Sequence, residues 1–206
     1  MAREPANVLI FHITHIENLP SILKDGGLHS DAVMAQRDPK LIGYSEIKKR
    51  RLNEIHVPCC SYNYVGDFVP FYFCPRSPML FTINKGNTGH PAGCQRSILH
   101  LVSTMADGLA MGKPWAISSG NAGTFHTTFE SKIEALDALD WDAIRATQWH
   151  GKQHQKMAEF LIRDFFSWTS IKQIGCFNST VATTVTELLN QEKHRPSVEV
   201  KSAWYY

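Results

Sequence analysis

The order of the apolar segments along the chain is the feature that most constrains its fold. Strand-like and helix-like runs are interspersed over the 206 residues, without the regular strand–helix–strand alternation of a doubly wound parallel sheet. The pattern therefore favours a mixed α+β fold. The segments predicted to be strands are residues 8–13, 69–74, 97–102, 115–117, 158–162, 171–177 and 197–206.

Helices are predicted between these strands. The sequence Asn18-Leu19-Pro20 is typical of a helix start, and Gly26-Gly27 is typical of a helix end. Helical structure is also predicted over residues 45–52, 133–149 and 181–190, and the region over 133–149 is expected to be broken or shared between two helices. A flexible turn is predicted over 118–123 and a polar loop over 150–156. No repeat or linker interrupts the chain, so we expect a single domain over residues 1–206.

The composition excludes several classes of protein. Hydrophobic residues make up 43% of the chain and charged residues only 19%, which argues against intrinsic disorder. The apolar run at residues 8–11 is far shorter than the roughly 20 residues of a membrane span, so no membrane association is expected. The net charge of +2 is too small to indicate a nucleic-acid partner, and any basic surface must arise from local clustering.

The cysteines indicate a reducing setting. Their number, five, is odd, and Cys59 and Cys60 are adjacent, which is a poor basis for a disulfide framework. A cytoplasmic location is therefore expected. The cysteine and histidine spacings do not match a zinc site, so no metal is expected.

Two segments in the N-terminal part of the chain carry polar side chains that could bind a ligand or take part in catalysis. In a strand, His12 and Thr14 point to the same face, where they could bind a flat amide such as the carboxamide of nicotinamide. The alternative is a core histidine beside a strand threonine. The run Lys48-Lys49-Arg50-Arg51 lies on a predicted helix, so one or two of its cations could face a cleft. The alternative is a solvated helix surface.

Two later features extend this set. In residues 71–79, aromatic side chains lead into a turn stiffened by Pro75 and Pro78, which displays Arg76. Such a turn could stack a nucleobase and bind a phosphate, or it could be a core strand with a surface arginine.

Glu159 lies in an apolar strand with Leu161 on the same face. It could bind a ribose hydroxyl, stabilise a cationic sugar or act as a base, or it could be an edge-strand glutamate at a solvent rim.

Together these segments resemble a known family. The resemblance covers residues 8 to 206 and includes His12-Ile13-Thr14, the basic run ending at Arg51, the block over 69–80, Ala158-Glu159-Phe160-Leu161 and the terminal Trp204-Tyr205-Tyr206. The sequence is similar to the DarT family, the toxin half of the DarT–DarG toxin–antitoxin systems. The block over 69–80 is long and unusual enough to be specific.

The resemblance implies a fold and an activity. The fold would be the ADP-ribosyltransferase fold related to poly(ADP-ribose) polymerases, with a mixed split β-sheet core and surrounding helices. The enzyme would be a pentosyl (glycosyl) transferase that uses NAD as co-substrate. It would place ADP-ribose on a base in single-stranded DNA and release nicotinamide. The block over 69–80 is more similar to the thymine-modifying branch than to the guanine-modifying branch. The implied protein partner is a DarG-like macrodomain antitoxin.

The resemblance also assigns site residues. Arg51 and Glu159 would be catalytic. The residues expected to bind NAD are His12, Ile13, Thr14, Ser21, His29 and Arg51. The residues expected to bind DNA are Tyr72, Arg76, Ser77, Pro78, Met79, Leu80, Phe81, Thr147, Gln148, Trp149 and His150.

Several questions stay open at this level. Met157 stands where many ADP-ribosyltransferases carry the Gln or Glu that orients the acceptor, and the loop over 149–159 looks short. Arg51 could accept the proton of the base, or it could stabilise the deprotonated base or the NAD phosphates while Glu159 shares proton transfer. The rival functions are an ADP-ribosyltransferase acting on guanine, RNA or protein, and a catalytically silent module that binds single-stranded nucleic acid.

Overall fold

The computed structural model describes residues 4–37, 45–88 and 91–206. This part of the chain contains strands β1 (Leu9–His15), β2 (Gly27–His29), β3 (His56–Val57), β4 (Asn63–Tyr64), β5 (Phe68–Tyr72), β6 (Ile98–Thr104), β7 (Trp115–Asn121), β8 (Phe129–Glu130), β9 (Ala158–Arg163), β10 (Phe165–Ser167), β11 (Gln173–Cys176) and β12 (Ser197–Val200). The α-helices are α1 (Leu19–Asp25), α2 (Asp31–Met34), α3 (Ser45–Asn53), α4 (Pro78–Asn84), α5 (Met105–Leu109), α6 (Trp141–Arg145), α7 (Gln153–Lys156) and α8 (Ser179–Leu188). The mixed order confirms the predicted α+β class.

The main sheet is split near its centre. Its eight strands follow the order β12-β11-β6-β1-β5-β9-β7-β8, and only β11 and β12 are parallel neighbours. Whereas β1 pairs with β6 along its whole length, it pairs with β5 only at Phe11 and Tyr72. The two halves of the sheet therefore join at one backbone pair, and β1 and β5 separate on either side of it. This is the split sheet that the resemblance implies.

The two faces of β9 bury different cores. Phe160 and Ile162 belong to the larger core, which includes Phe71 and Phe166, whereas Leu161 belongs to a second core. This alternation confirms the period of two that was predicted for the strand around Glu159. It also fixes the side from which the Glu159 side chain leaves the sheet.

Three predicted segments differ from the structure. Residues 133–149 are divided, as predicted, but the first part is a 3₁₀ turn (Ile133–Ala138), and α6, which Asp140 caps by accepting a hydrogen bond from the Ala143 N–H, already ends at Arg145. Residues 118–121 are not a turn but extend β7, whose Asn121 pairs with Ala158. The closing strand ends at Val200 and is followed by a 3₁₀ turn, Ser202–Trp204.

A fourth difference concerns the turn after β5. Ser77 caps a helix by accepting a hydrogen bond from the Leu80 N–H, and Pro78 occupies the first helical position, where its missing N–H costs nothing. Residues 78–84 therefore form α4, a helix that was not predicted. No helix in the described ranges is long and apolar enough to cross a membrane.

Buried His100 predicts an acid-sensitive step in stability. Its Nε2–H donates to the Pro75 carbonyl at 2.9 Å, and burial lowers the pKa of His100 to about 4. The folded protein therefore binds fewer protons than the unfolded chain, and stability is lost as the pH falls from about 6.5 to about 4. We expect this residue to contribute about 3 kcal/mol of that loss.

Urea unfolding at a series of pH values checks this expectation. In His100→Gln, whose amide can still donate to Pro75, the free energy of unfolding should fall less steeply over the same pH range. The other titrating groups are common to both proteins, so the difference isolates His100. Equal pH slopes for the two proteins would contradict the assignment.

Candidate active site

A buried ion pair joins two residues that lie far apart in the sequence. Arg51 is in the last turn of α3 and Glu159 is the second residue of β9. Arg51 Nη1 donates to both carboxylate oxygens of Glu159, each at 3.0 Å. The two residues are only 8% and 1% exposed. The structure thus brings together the two residues that were expected to be catalytic.

The helix geometry separates Arg51 from its basic neighbours. Arg51 faces inward, whereas Lys49 is exposed and Lys48 pairs with Asp31 at 3.0 Å. This arrangement follows from the roughly 100° between successive residues of a helix. It agrees with the interpretation that one or two of the four cations face a cleft.

The end of β7 holds Glu159 in place. The Ala122 N–H donates to Glu159 Oε1 at 3.2 Å, and Ser118 Oγ accepts from the Glu159 N–H at 2.9 Å while donating to the Gly120 carbonyl. The sequence analysis missed Ser118 and Ala122, because it assigned residues 118–123 to a turn. Only the pairing of β7 with β9 reveals that they lie beside Glu159.

Burial and pairing set the charges of the ion pair. Burial raises the pKa of the Glu159 carboxyl, and the attraction of Arg51 opposes this shift. Burial acts to lower the pKa of Arg51, but the charges of Glu159, Asp31 and Tyr72 and the hydrogen bonds to Glu159 together outweigh it, so the pKa is raised and Arg51 stays protonated. Arg51 Nη2 is buried and has no hydrogen-bond partner among the described residues. A buried donor without a partner is costly, so this nitrogen is well suited to a polar ligand.

His12 contributes a neutral imidazole close to the ion pair. Its Nδ1–H donates to the Pro70 carbonyl at 2.9 Å, and burial lowers the pKa of His12. The neutral ring therefore presents Nε2 as an acceptor. The charge of Asp31, which pairs with Lys48, acts on the pKa of His12, Arg51 and Glu159 alike, so Asp31 belongs to the same region of the protein. Asp31 carried no signal in the sequence analysis.

The other residues expected to bind NAD are more scattered. Thr14 is buried and accepts a hydrogen bond from Asn18 at 3.2 Å. The Ile13 side chain packs in a separate core with Leu80, so only its backbone remains to contact a ligand on the side of His12. Ser21 is exposed and donates to the Asn18 carbonyl.

His29 lies at the end of β2, outside the ion pair. Its Nε2 is 3.7 Å from Asp25, and its ring packs against Phe165. Two residues further along the chain is Asp31, which lies in the same region as Arg51 and Glu159. His29 therefore lies two residues along the chain from a residue whose charge acts on the Arg51–Glu159 pair.

The residues expected to bind DNA fall into two groups. Four of the residues that the resemblance assigns to DNA binding are buried or partly buried. Ser77, Pro78 and Leu80 are buried because α4 turns them into the protein, with Leu80 fully enclosed in a core. Tyr72 is partly buried and is the register partner of Glu159, so its side chain lies on the same face of the sheet as the Arg51–Glu159 pair.

The second group meets at the surface. Phe81, Trp149 and Tyr206 form an aromatic cluster, with ring centroids 5.4 Å apart for Phe81 and Trp149 and 5.1 Å apart for Phe81 and Tyr206. The Arg76 guanidinium stacks over the Tyr206 ring at 4.4 Å. Met79 is partly exposed, and Thr147, Gln148 and His150 are exposed in the loop that carries Trp149. Two distant segments therefore present aromatic, polar and cationic groups together.

The segment before Glu159 is anchored to β7. The His154 ring lies against Gly120, where an added Cβ would come within 2.2 Å of Nε2, so a larger residue at this position would have to displace the ring. His154 also packs against His126 at 4.5 Å. Met157, at the position where an acceptor-orienting side chain was considered, is only 9% exposed. The described residues contain no group of three or more His, Cys, Asp or Glu side chains placed to hold a metal ion.

Comparison with known proteins agrees with this architecture. A family model described as "ssDNA thymidine ADP-ribosyltransferase, DarT" matches residues 11–206. A DNA ADP-ribosyl transferase of Thermus aquaticus (strain ATCC BAA-2747 / Y51MC23) is 40% identical, over 98% of this chain and 90% of the relative.

Two solved structures show the same fold. The structure of Thermus sp. 2.9 DarT in complex with ADP-ribosylated ssDNA superposes with a TM-score of 0.90 and 37% identity, covering 100% of both chains. The same protein in complex with NAD+ gives a TM-score of 0.87 and 36% identity, again covering 100% of both chains. The ADP-ribosyltransferase fold is thereby confirmed, and the chain belongs to the DarT family of single-stranded DNA ADP-ribosyltransferases.

Proposed function

We propose that this protein transfers ADP-ribose from NAD to thymine in single-stranded DNA and releases nicotinamide. The observation that carries the proposal is the buried Arg51–Glu159 pair, in which Arg51 Nη2 has no partner among the described residues. The Arg51 Nη2 donor is therefore well suited to bind a polar group of a ligand beside the ion pair. The Thermus sp. 2.9 relative with NAD+ and with ADP-ribosylated ssDNA supports both substrates.

The residues around the ion pair fit NAD as co-substrate. The neutral His12 presents a ring acceptor suited to the N–H of a carboxamide, with Thr14 on the same strand face. Arg51 Nη2 is a free donor for an oxygen of the co-substrate. In this proposal the Ile13 backbone, Ser21 and His29 complete the NAD site from the adjoining segments.

Glu159 is the group that the chemistry needs at the reacting sugar. Breaking the bond between nicotinamide and ribose develops positive charge on the sugar, and a fixed carboxylate stabilises that charge. Hydrogen bonds from Arg51 and Ala122 hold the Glu159 carboxylate in one orientation before any ligand binds. Because no solvent separates these groups, the stabilisation is stronger than in water.

Arg51 is better suited to donate hydrogen bonds than to accept a proton. Its guanidinium stays protonated, and both Glu159 oxygens accept from it. In this proposal Arg51 stabilises the deprotonated base or an NAD phosphate. Glu159, whose pKa is raised by burial, shares the proton transfer.

The surface beside the aromatic cluster is the proposed DNA-binding surface. Arg76, Met79, Phe81 and residues 147–150 present cationic, polar and aromatic groups to solvent. Single strands are bound in this way, by stacking of bases and by contacts with phosphates. Ser77, Pro78 and Leu80 support this surface from below, and Tyr72 lies beside the reacting groups.

The setting of this activity is also part of the proposal. All five cysteines are free thiols, which supports a reducing, cytoplasmic location. One domain over residues 1–206 would carry the whole activity, because the active site draws on α3, β1, β7 and β9 together. Membership of the DarT family supports a DarG-like macrodomain antitoxin as partner and the role of a toxin.

Mass spectrometry of nucleosides tests the acceptor. Four oligonucleotides, each lacking one base, are treated with NAD and the protein. We expect adducts in the three strands that contain thymine and none in the thymine-free strand. A duplex should be modified about a hundredfold less, because opening a base pair costs a few kcal/mol.

RNA and protein acceptors with labelled NAD serve as the comparison. Adducts on guanine in the thymine-free strand, or equal labelling of duplex and single strand, would contradict the proposed acceptor. Labelling confined to RNA or protein would replace DNA by another substrate. Binding of the strand without any transfer would favour the silent binding module.

A further inference from the structure

A cavity of about 380 Å³ lies beside the Phe11–Tyr72 pair, at which the two halves of the split sheet join. It is lined by the start of β1, the segment after β5 and the end of α6. Phe11 and Tyr72 join the two halves of the sheet, and the cavity lining begins one residue further along, at Phe73. Since Tyr72 is also the register partner of Glu159, the cavity lining starts one residue beyond the strand pair that carries the proposed catalytic carboxylate.

The charged groups around the cavity all have the same sign. Arg76, Arg145 and Lys156 line it, and none of the described lining residues is acidic. Arg76 also acts on the pKa of Lys156 through its charge, so the two cations are close together. Three cations around one cavity are suited to an anionic ligand.

Lys156 is the most informative of these cations. It is only 2% exposed, and its Nζ donates to the Ile144 carbonyl at 2.8 Å and lies 3.8 Å from Cys74 Sγ. An ammonium group has three donors, and a buried charge is costly unless it is well paired. Arg76 Nε is likewise buried without a partner among the described residues. Both side chains therefore have donors to offer to a ligand.

Aromatic walls complete the site. Phe11, Phe73 and Trp141 line the cavity, and Arg145 stacks over the Trp141 ring at 5.6 Å. Flat apolar walls beside cations are typical of sites that stack a nucleobase and bind its phosphate. The volume also lies within the range of about 300–1,000 Å³ that is usual for small-ligand sites.

We propose that this cavity binds the base and phosphate of one nucleotide that flanks the modified thymine in the DNA strand. The inference rests on the proposed function and extends it to a second nucleotide. The DNA strand is favoured over a free nucleotide because Arg76 and Thr147 belong both to the cavity lining and to the proposed DNA-binding surface. The strand would run from that surface into the cavity.

Fluorescence anisotropy with a labelled, thymine-containing oligonucleotide tests the inference, using the full-length protein without NAD. Lys156→Met removes the buried charge and keeps an apolar stem, and Arg145→Ala removes an exposed side chain at the rim. Each should weaken oligonucleotide binding about tenfold and flatten its salt dependence. Calorimetry should show unchanged affinity for NAD.

Arg195→Ala is the matched control, because this exposed arginine changes the net charge equally but lies after α8, away from the cavity. It should bind the oligonucleotide like the original protein. Thermal unfolding shows whether Lys156→Met still folds. If Lys156→Met does not fold, the exposed Arg145→Ala variant still tests the inference. Competition by free deoxynucleoside monophosphates that matches the oligonucleotide would assign the cavity to free nucleotides.

Two results separate this inference from the proposed function. If the original protein modifies DNA but both cavity variants keep their oligonucleotide affinity and salt dependence, the cavity does not hold the strand. If the variants lose NAD affinity instead, the cavity belongs to the co-substrate. If the original protein transfers no ADP-ribose to DNA, the proposed function itself fails, whatever the binding data show.

Discussion

Replacing Glu159 by glutamine is expected to lower the rate of DNA modification about 10²- to 10³-fold, the usual cost of losing one preorganised electrostatic group. Glutamine can still accept hydrogen bonds from Arg51 and the Ala122 N–H, but it carries no charge to stabilise the cationic sugar. Alanine would be a poorer choice, because it would leave Arg51 buried without any partner at this position. Single-turnover transfer of labelled ADP-ribose to an oligonucleotide measures the effect.

Glu187→Gln is the control for this experiment. Glu187 is exposed on α8, so the same chemical change there should leave the rate unchanged. The affinity of Glu159→Gln for NAD should fall only slightly, because the carboxylate acts mainly on the charge that develops during the reaction. A folded Glu159→Gln protein that modifies DNA at nearly the original rate would exclude Glu159 as the catalytic carboxylate.

Replacing Arg51 by lysine is expected to have the second-largest effect. Lysine keeps the positive charge and can still pair with Glu159, so the buried pair is preserved and the fold should persist. Lysine lacks the planar guanidinium group of arginine. In Arg51, Nη1 of this group donates to Glu159, and Nη2 has no partner among the described residues and stays available to a ligand. We therefore expect about a hundredfold loss of transfer, similar to the loss of one oxyanion-hole donor.

Arg50→Lys provides a matched control one position earlier in α3. Because successive helical residues differ by roughly 100° in direction, Arg50 lies off the face that carries Arg51 and its substitution should leave the rate unchanged. The pH profile adds a second readout. If Arg51 accepted the proton from the base, lysine would shift the profile to lower pH with partial retention of rate, and that outcome would contradict the donor role.

Local patterns in the sequence were sufficient for several elements. The alternation around Glu159 predicted which side chains share its face, and the structure confirms it. The helix over 19–25 begins and ends as Pro20 and Gly26 indicate, with Gly26 in the left-handed conformation at φ 72°. These features depend on the intrinsic geometry of a few neighbouring residues, which a sequence carries directly.

Elements whose form depends on distant partners were predicted less well. Residues 118–121 have the small polar composition of a turn, yet they extend a strand, because Ser118 pairs with Phe129 of β8 and Asn121 pairs with Ala158 of β9. The segment over 133–149 was predicted to be broken or shared between two helices, and it does divide at the Asp140 cap, but its first part is a 3₁₀ turn and not an α-helix. Ser77 and Pro78, which the resemblance assigns to DNA binding, are buried because α4 starts at Pro78 and turns them into the protein.

The sequence by itself determined the family, the α+β class and the identity of Arg51 and Glu159 as candidate groups. Only the tertiary structure decided that their side chains meet at 3.0 Å, that Ala122 and Asp31 lie in the same region, and that Arg76, Arg145 and Lys156 surround a cavity. The physical reason is that local propensity acts over a few residues. A buried charge, in contrast, depends on whichever distant groups the packing of strands and helices brings to it.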